Sequence, residues 1–258
     1  MCLIAFAWRR NHDLPLALCA NRDEFYARPS QSAHQWTDHP PVFAGRDLQA
    51  GGTWMGLADG GRFAAVTNIR DPSRNNPDAH SRGQLVSDFL LSSLSPAEFC
   101  RALAPRSKHY NGFNLLLCDG REMFYFNNLE QQGQRLPPGI YGLSNALLDT
   151  PWPKTLQARR RLRGWLDEPS AIESLARLLD DEQPADDLQL PDTGIDPALE
   201  KSLSAQFIRL EHYGTRCSSA LLVDGSGTAS FCELSFDRGR PAGTVKQHFS
   251  ALFPDPQE

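Results

Sequence analysis

The second residue of the chain, Cys2, has the residue type and the position of an N-terminal nucleophile. A residue this small after Met1 generally permits removal of the initiator methionine, which would leave a free α-amine beside the thiol. The thiol has an ordinary pKa of about 8.5 and the α-amine one of about 8, and such an amine can activate its own side-chain nucleophile. We therefore predict that the mature chain begins at Cys2. The alternative is a small buried residue that opens the apolar strand of residues 3–8.

A polar segment follows the next apolar run, residues 14–20, and consists of Asn21, Arg22, Asp23 and Glu24. If this run pairs with residues 3–8 as a hairpin, Asn21 and Asp23 lie on one face and Arg22 on the other, because side chains alternate along a strand. Asp23 would then be available to hold the α-ammonium group of Cys2. The alternative is a solvated turn.

Composition excludes several classes of protein. The chain has 258 residues, 40% of them hydrophobic, which is enough for a substantial core. The net charge of -5 argues against a nucleic-acid partner. The first apolar run ends at Arg9 and is too short to span a bilayer or to form a signal peptide, so we expect a cytoplasmic protein without stable membrane insertion.

The chain contains no recognisable sequence motif for binding a metal or a nucleotide. The six cysteines are scattered without close pairs, which favours reduced thiols. The seven histidines include no His-Glu-x-x-His motif, and the chain contains neither a Gly-x-Gly-x-x-Gly nor a Walker pattern. The sequence therefore predicts no metal and no cofactor.

The elements that must position these residues alternate between blocks of strands and blocks of helices. We predict strands over residues 3–8, 14–20, 53–57, 63–67, 113–118, 122–127, 140–143, 217–223, 228–233 and 244–249, the last at a sheet edge. We predict helices that start at Ser81 and Ser95, the second with a capping box to Glu98, and further helices over residues 154–166 and 170–179. An acidic loop covers residues 180–187. This order favours a single α+β domain, residues 1–258, with antiparallel sheets.

Several ordered motifs resemble those of the NRDE family, also called the transport and Golgi organisation family. They extend over nearly the whole chain and comprise Met1-Cys2-Leu3-Ile4, Asn21-Arg22-Asp23-Glu24, Gly51-Gly52-Thr53-Trp54-Met55-Gly56, Val66-Thr67-Asn68-Ile69-Arg70, Ser81-Arg82-Gly83, Gly142-Leu143-Ser144-Asn145 and Tyr213-Gly214-Thr215-Arg216. The chain is identified as a member of this family by the combination, because each motif alone is less specific.

This family is similar in layout to N-terminal-nucleophile hydrolases of the choloylglycine hydrolase and penicillin V acylase group. The resemblance implies a four-layer αββα sandwich and a role for five residues. It makes Cys2 the nucleophile, Asp23 the carboxylate near its amine, Asn68 and Asn145 the oxyanion donors, and Arg216 a cation near the thiol. Amide N–H groups can stabilise a developing oxyanion, and a guanidinium favours thiolate over thiol.

One position departs from the acylase pattern. The acylase group has an arginine three positions before the aspartate, whereas this chain has Ala20 there and an arginine at position 22. Because Arg22 would point away from the face of Asp23, we expect that it cannot take over the role of that arginine and instead pairs with Glu24 on its own face.

Two functions follow from these residues and from the resemblance. The first is an amidase that uses Cys2 to cleave a carbon–nitrogen bond of a small N-acyl substrate. The alternative, which the family's cellular roles imply, is a binding or trafficking protein for a hydrophobic metabolite such as haem or an acyl-chain lipid. The fold alone does not choose between them.

Overall fold

The computed structural model describes residues 2–10, 12–250 and 252–253. Met1, whose removal the sequence predicts, lies outside the described residues. Within them the strands form two antiparallel sheets. The first sheet has the spatial order β10 (Gly139–Leu143), β1 (Cys2–Trp8), β2 (Leu16–Phe25), β11 (Tyr213–Val223), β12 (Ala229–Asp237) and β13 (Arg240–Phe249). The second has the order β3 (Ser30–Gln35), β4 (Phe43–Asp47), β5 (Met55–Ala58), β6 (Arg62–Asn68), β7 (Phe113–Asp119), β8 (Met123–Asn127) and β9 (Gln132–Arg135).

The two sheets pack face to face, and helices cover both outer faces. The side chains of β1 show the layering, because Ile4 and Phe6 pack between the sheets whereas Leu3 and Ala5 pack under helices α3 (Pro153–Asp167) and α4 (Ile172–Ala176). Helices α1 (Gly83–Leu91) and α2 (Pro96–Leu103) cover the second sheet. A short helix, α5 (Pro197–Ser202), follows α4. The predicted α+β class and the four-layer αββα sandwich are confirmed.

Burial on both faces explains why β1 has a continuous apolar run rather than an alternating one. The strands that sequence patterns missed lack such an apolar run. Strands β3 and β9 are polar and lie at the two edges of the second sheet, so no apolar run marks them. Strand β4 and helix α5 are short and were also missed, and α4 is shorter than predicted.

The helix starts read from the sequence are largely correct. The Ser95 hydroxyl accepts a hydrogen bond from the N–H of Glu98, and the Glu98 carboxylate accepts one from the N–H of Ser95, which completes the predicted capping box of α2. The predicted helix after Ser81 begins at Gly83 and has no side-chain cap. Among the residues described, no helix is long and apolar enough to cross a membrane.

Candidate active site

Strand β2 is longer than predicted, and this extension creates the site. It continues through Asn21, Arg22 and Asp23 to Phe25, so these residues form the end of a central strand rather than a solvated turn. Asn21 and Asp23 are each only 1% exposed. Thr215 in β11 donates a 2.7 Å hydrogen bond to the Asp23 carboxylate. The neighbouring strand therefore supplies the partners that allow polar residues to be buried here.

The register of β1 and β2 decides which side chains meet. Cys2 pairs directly with Arg22, and Leu3 pairs with Asn21. Directly paired residues of antiparallel strands share a face, so Cys2 and Arg22 project to one side and Asn21 and Asp23 to the other. The predicted separation of Arg22 from Asp23 is confirmed, but Cys2 lies on the face of Arg22.

A cavity of about 410 Å³ opens beside Cys2. We call it the Cys2 cavity. Its lining comes from β1, β2, β4 and β6, from the turn after β2, from the segment between β4 and β5, from the loop that leads into α1 and from the segment before β7. The lining residues are Cys2, Arg22, Asp23, Glu24, Arg28, Asp47, Gln49, Thr53, Trp54, Val66, Asn68, Asn75, Asn76, Pro77, Ala79, His80, Ser81, Arg82, Gly83 and Asn111. Most of these side chains are polar or charged. In the described part of the chain, no three His, Cys, Asp or Glu side chains are grouped so that they could hold a metal ion.

Arg22 is held on one wall of this cavity. Its guanidinium carbon lies 4.1 Å from the ring centroid of Trp54, within the range of a cation–π contact. The expected pairing with Glu24 is present at 3.9 Å. The sequence argument placed the thiol near Asp23, whereas the register makes Arg22 the cross-strand neighbour of Cys2. The charge of Arg22 opposes the rise in the pKa of the Cys2 thiol that burial causes.

The Cys2 thiol differs in exposure from the other thiols. Burial holds the pKa of the Cys2 thiol above its ordinary value, and the charge of Asp23 raises it further. The positive charge of Arg22 and a hydrogen bond from the Asp23 backbone oppose this shift. Cys2 is half-buried, whereas the other five cysteines are buried. Burial also raises the pKa of Cys19 and of Cys118 to about 12. Cys2 is therefore the thiol that reagents and substrates can reach most readily.

Asn68 and Asn145 lie at the ends of β6 and β10 and are joined to each other. Asn68 lines the Cys2 cavity. The Asn145 side-chain amide donates a 2.9 Å hydrogen bond to the backbone carbonyl of Asn68, and the preceding residue, Ser144, donates one of 3.1 Å to the carbonyl of Cys2. Asn68 therefore lines the cavity, whereas the side-chain amide of Asn145 is used to hold the backbone of Asn68.

Arg216 is not among the described residues that line the Cys2 cavity. It occupies a bulge in the pairing of β11 with β2. Its guanidinium donates to the backbone carbonyls of Phe25, Tyr26 and Arg28 at 3.1 to 3.2 Å. Arg216 therefore holds the turn after β2, while Cys2, Asp23 and Asn68 line the cavity and Asn145 contacts Asn68. The catalytic roles of these five residues stay predictions.

Another part of the cavity wall is formed where two sequence motifs pack together. The N–H of Thr53 donates a 3.2 Å hydrogen bond to the carbonyl of Gly83, at the start of α1. The backbones are so close that a Cβ on Gly52 would lie 2.5 Å from the carbonyl carbon of Gly83. Glycine at position 52 is therefore required by close approach of two chain segments.

Buried charges behind Asp23 were not among the predicted site residues. Lys154 is 3% exposed, and it donates a 2.9 Å hydrogen bond to the Leu203 carbonyl. The pKa of Lys154 is lowered to about 8, chiefly by burial and then by the nearby charge of Arg70, while Asp23, Glu200 and Cys2 oppose the shift. Arg70 pairs with Glu200. No sequence signal identifies Lys154, because a lysine in the first turn of a helix is usually solvated.

Comparison with solved structures shows the fold. The mutant conjugated bile acid hydrolase of Clostridium perfringens is similar with a TM-score of 0.52 and 6% identity, covering 98% of each chain. An N-acylethanolamine-hydrolyzing acid amidase ortholog of Caenorhabditis elegans is similar with a TM-score of 0.50 and 9% identity, covering 86% of this chain and 92% of the other. Both neighbours share the N-terminal-nucleophile hydrolase fold.

Sequence comparison shows the family. The model described as Transport and Golgi organisation 2 matches residues 1–238. The Transport and Golgi organization 2 homolog of Mus musculus is 36% identical over 258 residues, covering 91% of this chain and 93% of the mouse protein. The Homo sapiens homolog is 36% identical over 263 residues, with the same coverage of each chain. The fold gathers the motifs at Cys2, Asn21 to Glu24, Thr53 and Gly83 around one cavity. The chain belongs to the Transport and Golgi organisation 2 family.

Proposed function

We propose that the protein is an N-terminal-cysteine hydrolase that cleaves the carbon–nitrogen bond of a small N-acyl amide. The observation that carries this proposal is the half-buried Cys2 thiol in a cavity that Asp23 and Asn68 also line. A nucleophile, a carboxylate for its amine and an amide donor are the parts that such a reaction requires. The two hydrolase relatives in fold support the proposal, although their likeness concerns the fold alone.

The reaction follows from the positions of these groups. After removal of Met1, the α-amine of Cys2 takes the thiol proton, directly or through a water molecule, and the sulfur attacks the amide carbonyl. The Asn68 amide donates to the oxyanion that forms. The carbon–nitrogen bond then breaks as the ammonium returns the proton to the leaving amine. Water hydrolyses the resulting thioester, which releases the acid and restores the thiol.

The lining of the cavity favours this reaction over carriage of haem or an acyl-chain lipid. Sites for apolar ligands are lined predominantly by hydrophobic and aromatic side chains. The Cys2 cavity instead has three arginines and three carboxylates in its walls, with Trp54 and Val66 among its few apolar residues. We propose the cytoplasm as the location, because a reducing compartment keeps a nucleophilic thiol free.

The test compares turnover with carriage in one protein. Met-free protein is incubated with a panel of N-acyl amides and is titrated separately with haem and palmitate. We expect turnover of at least one amide, a trapped acyl-thioester on Cys2 by intact-mass measurement, and loss of turnover in folded C2A and C2S variants. Tight binding of haem or palmitate that persists in the C2A variant, with no adduct from any amide, would establish the carrier instead.

A further inference from the structure

A buried lysine at the start of α3 packs behind the end of β2. Lys154 is 3% exposed and Asp23 is 1% exposed. Asn21, which shares the face of Asp23, donates a 2.9 Å hydrogen bond to the carbonyl of Gln206, and the Gln206 side chain donates one of 3.2 Å to the carbonyl of Lys154. The two charges affect each other across this contact, since burial raises the pKa of Asp23 and the charge of Lys154 opposes this shift.

Two other positive charges near Asp23 are directed elsewhere. Arg70 forms an ion pair with Glu200, and Arg22 projects from the opposite face of β2. The ammonium group of Lys154 instead donates its 2.9 Å hydrogen bond to a backbone carbonyl. A carbonyl has no net charge, so this partner does not neutralise Lys154. Its positive charge can therefore compensate the charge of Asp23.

The proposed reaction needs Asp23 in its ionised form. The α-amine of Cys2 must be neutral to take the thiol proton, and a neutral amine no longer compensates the charge of a buried carboxylate. Burial without a nearby positive charge favours the protonated carboxyl group. A protonated Asp23 would donate its O–H to the amine nitrogen and occupy the lone pair that must accept the thiol proton. The reaction therefore requires a second positive charge near Asp23.

We infer that Lys154 is a positioning residue that keeps Asp23 ionised while the α-amine of Cys2 acts as the base. The inference rests on the proposed amidase function. An ionised Asp23 accepts a hydrogen bond from one amine N–H and leaves the nitrogen lone pair free for the thiol proton. In the described part of the chain Lys154 does not line the Cys2 cavity, so it acts through Asp23 rather than on the substrate.

The pH dependence follows from the charges around this pair. The pKa of Lys154 is about 8, so Lys154 is mainly protonated at neutral pH. Loss of a positive charge raises the pKa of a neighbouring acid, so variants without the lysine should move the titration of Asp23 to higher pH. The other titratable or charged groups that act on the pair are Arg70 after β6, Glu200 in α5, Tyr213 in β11, Arg22 in β2 and Cys2 in β1.

The experiment compares K154M and K154Q with wild type in Met-free protein. Both variants remove the charge, and K154Q keeps an N–H donor for the backbone carbonyl. NMR of aspartate labelled with carbon-13 at the carboxyl group follows the ionisation of Asp23, whose signal is identified by its loss in D23N. We expect the midpoint to rise by about 1 pH unit in both variants. R163Q removes a charge from the exposed surface of the same helix and should leave the midpoint unchanged.

Two results of this titration would overturn the inference. The first is an unchanged Asp23 midpoint in folded K154M and K154Q. The second is a shift in K154M alone, which would assign the effect to the lost hydrogen bond rather than to the charge. If neither variant folds, wild type decides. Asp23 should be ionised at about pH 7.7, where an ordinary α-amine is half neutral, and a protonated Asp23 there would contradict the role of Lys154.

Turnover of octanoyl-4-nitroanilide separates this inference from the amidase proposal. The acid limb of the kcat/KM profile should move by the same 1 pH unit, about 10-fold in rate on that limb, in K154M and K154Q but not in R163Q. Hydrolysis with an unchanged acid limb in both folded variants would overturn the role of Lys154 and leave the amidase in place. Absence of turnover in wild type would count against the amidase alone, because the NMR titration tests Lys154 without a substrate.

Discussion

Cys2 and Arg22 are paired across β1 and β2, so the only half-buried cysteine among the described residues has a permanently charged neighbour on its own face. Asp23, the next residue, projects from the opposite face but still lines the cavity at the strand end. The Cys2 thiol and the Asp23 carboxylate, which the proposed mechanism places near the α-amine, thus project from opposite faces of the first sheet.

Protein purified from its native source without an added tag should lack Met1. The reason is that the proposed mechanism requires the free α-amine of Cys2, and a small residue at position 2 permits removal of the methionine. Intact-mass measurement should give the mass of a chain that begins at Cys2. A fully retained Met1 would contradict self-activation of the thiol.

Cys2 should be the fastest thiol to react with iodoacetamide, because the other cysteines are buried. Its rate should rise with pH as the thiolate forms. Burial raises the pKa of Cys2, and the positive charge of Arg22 opposes this shift, so R22M should raise the pKa further and move the midpoint of the rate profile to higher pH. Peptide mapping of labelled protein measures this, with R163Q as the control. An unchanged midpoint in folded R22M would show that Arg22 does not act on the thiol.

Asn68 and Asn145 should act as one unit. N68A should lower kcat about 100- to 1000-fold with little change in KM, the range for loss of an oxyanion donor. N145A removes the 2.9 Å hydrogen bond to the Asn68 carbonyl and should also lower kcat, because it releases Asn68. The double variant should be little worse than N68A, since residues that act together are not additive. Full additivity would show that Asn145 acts independently.

The contact between Gly52 and the start of α1 should be sensitive to a single methyl group. G52A places a Cβ 2.5 Å from the Gly83 carbonyl carbon and should lower the free energy of unfolding by about 1–3 kcal/mol through overpacking. G164A, in α3 with no atom within 4 Å of the added Cβ, should instead stabilise by about 0.5–1 kcal/mol. Denaturant unfolding measures both. Equal stability of G52A and wild type would refute this tight contact.

The fold class and most strands could be predicted from the sequence alone, and the sequence also pointed to Cys2 as a candidate nucleophile. Two-face burial gives β1 and β7 continuous apolar runs, and the capping box at Ser95 is a local signal, so these elements could be recognised without tertiary information. The polar edge strands β3 and β9 could not, because sheet partners rather than their own side chains hold them in place.

Only the tertiary structure decided which polar residues meet. The pairing of Cys2 with Arg22 depends on register, and a shift of one residue would reverse every face. Arg82 donates a hydrogen bond to the carbonyl of Gly112, and Lys154 donates one to the carbonyl of Leu203. Both acceptors lie far along the chain from their donors. The pairing of β11 with β2 likewise lets Arg216 donate hydrogen bonds to three backbone carbonyls of residues 25–28. Residue type alone does not encode such contacts, since they arise when strands and loops that are distant in sequence are brought together by the core.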